Sequence, residues 1–110
     1  MISWSDFEKF DMRTGTIIQA DDFPKARKPA YKLLIDFGPQ LGVKRSSAQV
    51  TAHYKKEELL NRKVIAVVNF PPKQIADFIS ECLVLGVYDE NNDVILLAPE
   101  RAVSNGMKVG

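Results

Sequence analysis

Residues 43–69, VKRSSAQVTAHYKKEELLNRKVIAVVN, hold the reading that decides the fold. Val43 to Thr51 is a polar strand that opens with the cations Lys44 and Arg45 and the serines Ser46 and Ser47. Lys55 to Leu60 has room for one or two helical turns, and Lys63 to Asn69 is a β-branched, apolar run of strand length. A short helix therefore stands alone between two strands. Immediately upstream, Tyr31, Leu33, Ile35 and Phe37 alternate with Lys32, Leu34 and Asp36, which gives one strongly apolar face at period two. Gly38, Pro39 and Gly42 supply the turn between these strands.

Further out, Thr14 to Ala20 reads as a first strand, joined to the second by a loop, Asp21 to Ala30, with two prolines and three basic residues. Downstream, Cys82 to Tyr88 and Asp93 to Ala98 form a closing hairpin around Asp89, Glu90, Asn91 and Asn92. At the start, Ser3 or Ser5 caps a short helix over Trp4 to Phe10, where Trp4, Phe7 and Phe10 recur at helical spacing. Strands dominate, and the internal helix lies between the third and fourth. That order predicts an all-β, five-stranded Greek-key barrel of the oligonucleotide-binding (OB) type, which binds ligand on the face of strands two and three and the loops beside it. An SH3-like barrel is the structural competitor.

A chain of 110 residues, 45% hydrophobic and 26% charged, can bury one core unaided, so residues 1–110 are expected to be a single domain. The one cysteine, Cys82, cannot form an internal disulfide, and the charged residues of the first stretch leave no signal peptide; a reducing, cytoplasmic setting is expected. The longest apolar runs, Val64 to Val68 and Val94 to Ala98, fall far short of the roughly 20 residues a bilayer requires, so no membrane insertion is expected. Net charge is only +1, but residues 1–73 carry 13 basic against 8 acidic residues and residues 74–110 carry 2 against 6. The basic part can form a localised footprint for a polyanion or simply a solvated surface.

Catalysis is not expected. His53 is the only histidine, so no histidine triad or multi-histidine metal centre can be built in one chain. Cys82 sits in an apolar run where a thiol behaves as a small hydrophobe. The acidic stretch Asp89 to Asp93 lacks the spacing, glycine and terminal glutamate of a calcium loop, and Asp36-Phe37-Gly38 spells a kinase signature by accident. No metal or cofactor is expected. What remains are binding features. Lys25, Arg27 and Lys28 share a loop, and Lys44, Arg45, Ser46 and Ser47 share a strand; such residues contact phosphate and sugar oxygens, or keep loops and strand edges soluble. Phe70 is held on a stiff segment by Pro71 and Pro72, next to Lys73.

At these residues the sequence resembles the structure-specific tRNA-binding domain family, found alone in bacteria and appended to some methionyl- and phenylalanyl-tRNA synthetases; within it, the similarity is greatest to the CsaA-type, export-related chaperone-like members. The matching segments are Asp11-Met-Arg-Thr-Gly-Thr-Ile, Lys32-Leu-Leu-Ile-Asp-Phe-Gly, Lys44-Arg-Ser-Ser-Ala-Gln-Val, Asn61 through Lys73, Ser80-Glu-Cys-Leu-Val-Leu-Gly, Pro99, Asn105-Gly106 and Lys108-Val-Gly. The resemblance implies an OB fold that binds tRNA and dimerises through elements outside the barrel. Trp4, Phe7, Val103 and Val109, in the short N-terminal helix and a C-terminal extension, are the candidate interface residues. It also implies RNA contacts at Asn69, Lys73 and Ser80, which join the basic loop and strand residues in one expected groove. Where members usually carry further basic residues and a glycine, this chain has Pro71, Gln74, Ala76 and Asp77, so weaker tRNA binding than in the synthetase-linked members is expected. The alternative implied function is a peptide-binding chaperone for unfolded export precursors, with partners in the export machinery and a groove lined by Phe70, Pro71, Pro72, Ile75 and Phe78.

Overall fold

The computed structural model describes residues 1–110. Its elements are α1 (Trp4–Glu8), β1 (Met12–Asp22), β2 (Tyr31–Asp36), β3 (Val43–Ala48), α2 (Lys56–Leu59), β4 (Lys63–Val67), β5 (Lys73–Ile75), β6 (Phe78–Ser80), β7 (Leu83–Val84), β8 (Gly86–Tyr88) and β9 (Val94–Leu96). Five strands form one antiparallel sheet in the order β3-β2-β1-β4-β7. The long β1 serves two neighbours: Met12 to Thr16 pair with β4, and Thr16 to Asp22 pair with β2. A register shift between Ile17 and Gln19 bends the strand at the crossover. β7 then returns the sheet toward β3, where the Glu81 amide donates to the Arg45 carbonyl at 2.8 Å and the Ser46 hydroxyl to the Cys82 carbonyl at 3.1 Å. These bonds nearly close the barrel, with α2 between β3 and β4 as an OB-type fold requires.

The alternating pattern of β2 is realised as expected. Leu33, Ile35 and Phe37 are buried, whereas Lys32, Leu34 and Asp36 lie on the outer, half-exposed side. Ile17, Val64, Ala66 and Leu59 complete the centre of the core, Leu59 being the one buried residue of α2. Gly15 lets β1 approach Phe37 closely, since a Cβ there would stand 2.7 Å from Ile35 and 2.8 Å from the Phe37 ring. At the N-terminus, Ser3 caps α1 with its hydroxyl while Asp6 accepts from the Ser3 amide.

Two departures from the sequence reading matter. The expected final hairpin is divided: Cys82 to Val84 close the barrel, and only Gly86–Tyr88 and Val94–Leu96 pair as a separate hairpin. A second hairpin, β5 with β6, was not foreseen. Its strands are three residues long, too short to show a period, and the two prolines that suggested a loop stand before it, outside its ladder.

The C-terminal extension is sewn to its own barrel. Where β2 has left β1, the tail takes its place: Gly106 donates to Thr14 (2.7 Å), Thr14 to Met107 (3.0 Å) and Val109 to Met12 (2.9 Å). Arg13 reaches the Gly106 carbonyl, Thr14 the Ser104 carbonyl, and Thr16 and Lys63 both donate to Asn105 Oδ1. Gly106 has φ +82° and lies so close to the Phe37 carbonyl that a Cβ would meet it at 2.6 Å, so only glycine fits. The motifs Arg13-Thr14-Gly15 and Asn105-Gly106 are thus two halves of one intramolecular latch.

Glu81 adds a clasp at the barrel seam. One carboxylate oxygen accepts from the Arg45 amide at 2.9 Å and from Arg45 Nε at 3.2 Å. The amide bond, opposed by desolvation and aided by the guanidinium, holds the Glu81 carboxyl below its ordinary value of 4.5. A lowered folded-state value means a contribution present above pH about 4.5 and lost as pH falls through the folded value. Wild-type stability is therefore expected to decline below pH 4.5 more steeply than that of Glu81→Gln, measured by urea midpoints across that range. Parallel pH profiles for the two proteins would rule the seam clasp out.

Candidate nucleic-acid interface

Residues opposite one another in a ladder share a face, so the β2–β3 register sorts the polar strand. Leu34 pairs with Arg45 and Lys32 with Ser47, which places Lys32, Arg45 and Ser47 together on the outer side. Ile35, fully buried, pairs with Lys44, and Leu33 pairs with Ser46. Lys44 therefore lies on the core side of β3 and does not share a face with Arg45. Ser46 has no exposed surface and donates to the Cys82 carbonyl, so it is withdrawn from the expected RNA-contacting set.

Two aromatic rings organise the outer face. Phe23, at the end of β1, packs edge-on against Phe78 of β6 with centroids 5.6 Å apart. Lys32 Nζ sits 5.2 Å from the Phe23 centroid and 5.9 Å from that of Phe78, and the Arg45 guanidinium sits 5.9 Å from Phe78. The rings hold both cations over one patch. The adjoining loop carries Lys25, Arg27 and Lys28, all exposed, and Lys25 reaches Asp77 at the tip of the β5–β6 hairpin at 3.3 Å. That ion pair bridges the loop after β1 and the hairpin before β7, which flank the β2–β3 face. Phe23 and Lys32 were not singled out from sequence. Their signal, an aromatic just before a basic loop and a lysine on the polar side of the clearest strand, was visible but not specific.

The remaining expected contacts divide. Lys73 is exposed on β5, opposite Ser80. The Ser80 hydroxyl is engaged internally, accepting from the Ser47 amide and donating to the Cys82 carbonyl. Asn69 is a clamp between elements: its Oδ1 accepts from the Asp11 amide at 2.9 Å and its Nδ2 donates to the Lys9 carbonyl at 2.8 Å. Phe70, beside it, packs edge-on against Phe10 at 6.0 Å. The two aromatics of the expected peptide groove thus face different partners, Phe70 toward the N-terminal segment and Phe78 toward Phe23. Pro71 and Pro72 are exposed and Ile75 is half-buried.

Of the candidate interface residues, Trp4 is 88% exposed and Phe7 39%, while Val103 and Val109 are half-buried and line a shallow hollow with Ile65, Pro99 and Met107. Cys82 is buried, and desolvation pushes its thiol up to about 11, which suits a packing role. His53 Nε2 meets Asp89 Oδ2 at 2.7 Å, and Asp93 is near enough to complete a three-ligand set. However, Asp89 Oδ1 is already taken by the Asn91 and Asp93 amides, which build the hairpin turn foreseen from the sequence. No helix is long and apolar enough to cross a membrane.

Residues 12–108 match the family described as "Putative tRNA binding domain". The chain is 38% identical over 108 residues to the methionine–tRNA ligase of Pyrococcus abyssi and 32% identical over 108 residues to that of Methanocaldococcus jannaschii. Each match covers 98% of this chain but only 14% and 16% of the respective ligases. Among solved structures, the CsaA chaperone protein from Picrophilus torridus superposes with a TM-score of 0.95 at 55% identity, covering all of both chains. The CsaA chaperone of Bacillus anthracis does so at 0.94 and 49%, covering 100% of this chain and 99% of that one. With an OB-type barrel, a cationic β2–β3 face and a family match across nearly its whole length, the chain belongs to the tRNA-binding domain family.

Proposed function

We propose that the protein is a non-catalytic tRNA-binding protein that recognises folded RNA by shape and charge through the outer face of β2 and β3. The observation that carries this reading is the convergence of Lys25, Lys32 and Arg45 around the Phe23–Phe78 pair, with Arg27 and Lys28 on the adjoining loop. Cations held over a rigid aromatic base contact phosphates with little reorganisation, and Ser47 adds a hydroxyl on the same face for sugar or phosphate oxygens. Most of Phe23 is buried, so the rings serve to position charge and leave little surface for base stacking. The proposed protein works as a cytoplasmic homodimer, its partner copy covering the exposed apolar residues of the N-terminal helix and the hollow at Val103 and Val109.

Binding to bulk tRNA across a salt series tests the proposal. Five cations at the interface predict a slope of log K against log salt of about −4, or on the order of 100-fold weaker binding between 50 and 200 mM salt. Whole-length similarity to CsaA chaperone proteins favours a second reading, capture of unfolded polypeptide. Apolar capture weakens little, or strengthens, as salt rises. An unfolded polypeptide that binds well while tRNA does not would move the function to chaperone.

A further inference from the structure

Asp77 is the one acidic side chain planted at the tip of the hairpin beside this cationic patch, and its place there is not required by the barrel. It occupies, with Ala76, the two-residue turn between Ile75 and Phe78, and it leans back over the face to Lys25. Asp21, opposite Lys32 in the β1–β2 ladder, accepts from Gln19, whereas two carboxylates form ion pairs with the patch, and they are held differently. Glu81 is fixed by the Arg45 backbone amide as well as by the guanidinium, and belongs to the seam of the barrel. Asp77 has Lys25 as its one ion-pair partner: the side chains are 48% and 71% exposed, respectively, and the contact joins two surface loops. Lys25 first, opposed by desolvation, then its own backbone amide and, at longer range, Lys32 hold its carboxyl below the ordinary value of 3.8, so it is a full anion at neutral pH.

A carboxylate and a phosphate diester offer the same recognition chemistry to a lysine: anionic oxygens accepting charge-assisted hydrogen bonds. We propose that Asp77 is a built-in competitor for RNA phosphate, occupying Lys25 in the free protein and being displaced when a phosphate binds there. This deepens the reading of the face as a tRNA site and rests on it. The ion pair links the loop after β1 to the tip of the β5–β6 hairpin, so displacement frees the two tips, while the Phe23–Phe78 contact keeps the segments joined at their base. An exposed ion pair is weak enough to be exchanged readily, and it lowers affinity without abolishing it. Asp77 thereby sets how tightly the face holds RNA.

Four proteins decide the matter in tRNA titrations over a salt series: wild type, Asp77→Asn, Lys25→Gln and the double variant. Asparagine keeps the turn and removes the charge. Asp77→Asn is expected to tighten binding by about two- to five-fold at low salt, the range of an exposed ion pair. Its log–log salt slope should steepen by up to about one, as Lys25 gains a phosphate contact. The gain should vanish in the Lys25→Gln background. Wild-type binding that Asp77→Asn leaves unchanged, or a gain that persists undiminished without Lys25, overturns the inference while leaving the RNA site intact. No tRNA binding by either wild type or Asp77→Asn overturns the site itself, and the inference with it.

Discussion

The triple variant Lys25→Gln, Lys32→Gln, Arg45→Gln is expected to bind tRNA on the order of 100-fold more weakly than wild type at about 0.1 M salt, with a log–log salt slope smaller by about three. Glutamine retains most of each side-chain stem, so packing on Phe23 and Phe78 is largely kept and the charge is what changes. The ion pairs lost, Lys25 with Asp77 and Arg45 with Glu81, are at the surface, where such pairs contribute little to stability, so the variant should remain folded. An internal control comes from the neighbour of Arg45. Lys44→Gln removes the same charge from the core side of β3 and is expected to change affinity much less, because its register partner is the buried Ile35. Fluorescence anisotropy with labelled tRNA reads both effects. Equal losses from Lys44→Gln and Arg45→Gln would mean that only total charge matters, and the face assigned here would be wrong.

The largest stability effect is expected at Phe37. Its side chain is 1% exposed, lies against Gly15 of β1 and belongs to the central cluster with Ile17, Leu33 and Ile35. Phe37→Ala removes a large ring from a site that cannot collapse easily, since strand backbones surround it, and should cost about 3–5 kcal/mol. For a domain near this size that corresponds to a fall in Tm on the order of 15–25 °C. The damage should extend to the tail. Phe37 supports Gly15, whose neighbour Thr14 anchors Ser104, Gly106 and Met107, and its own carbonyl packs against Gly106. Faster hydrogen exchange at the Gly106 and Val109 amides should accompany the loss of stability. A cost below about 1 kcal/mol would show that the barrel centre is not organised around this ring.

The legible parts of the protein were those governed by local rules. The alternation in Tyr31 to Phe37 assigned the buried face of β2 correctly, because a pleated strand alternates whatever surrounds it. The short helix between two strands pointed to the barrel, Ser3 or Ser5 to the start of α1, where Ser3 proves to be the cap, and Asp89 to Asn92 to a turn. Ordered motifs along the chain identified the family before any distance was known. Even so, motif residues were assigned ligand contacts that the fold spends on itself: Asn69 clamps the N-terminal segment, Ser80 stitches β6 to β3, and Ser46 bonds across the seam.

Composition, periodicity and motif order therefore determined the all-β character, the order of β1 to β4 with the helix between β3 and β4, and the family. Tertiary structure alone decided which charges act together. Lys44 and Arg45 are adjacent in the chain, yet the pleat sends them to opposite sides, and closure of β7 onto β3 determines which side is sealed. Phe23 and Phe78, and Lys25 and Asp77, meet across more than fifty residues because a bent β1 and a two-residue turn bring their loops to the same rim. Such contacts follow from how the sheet curls and closes, a property of the whole barrel that no local stretch of sequence encodes.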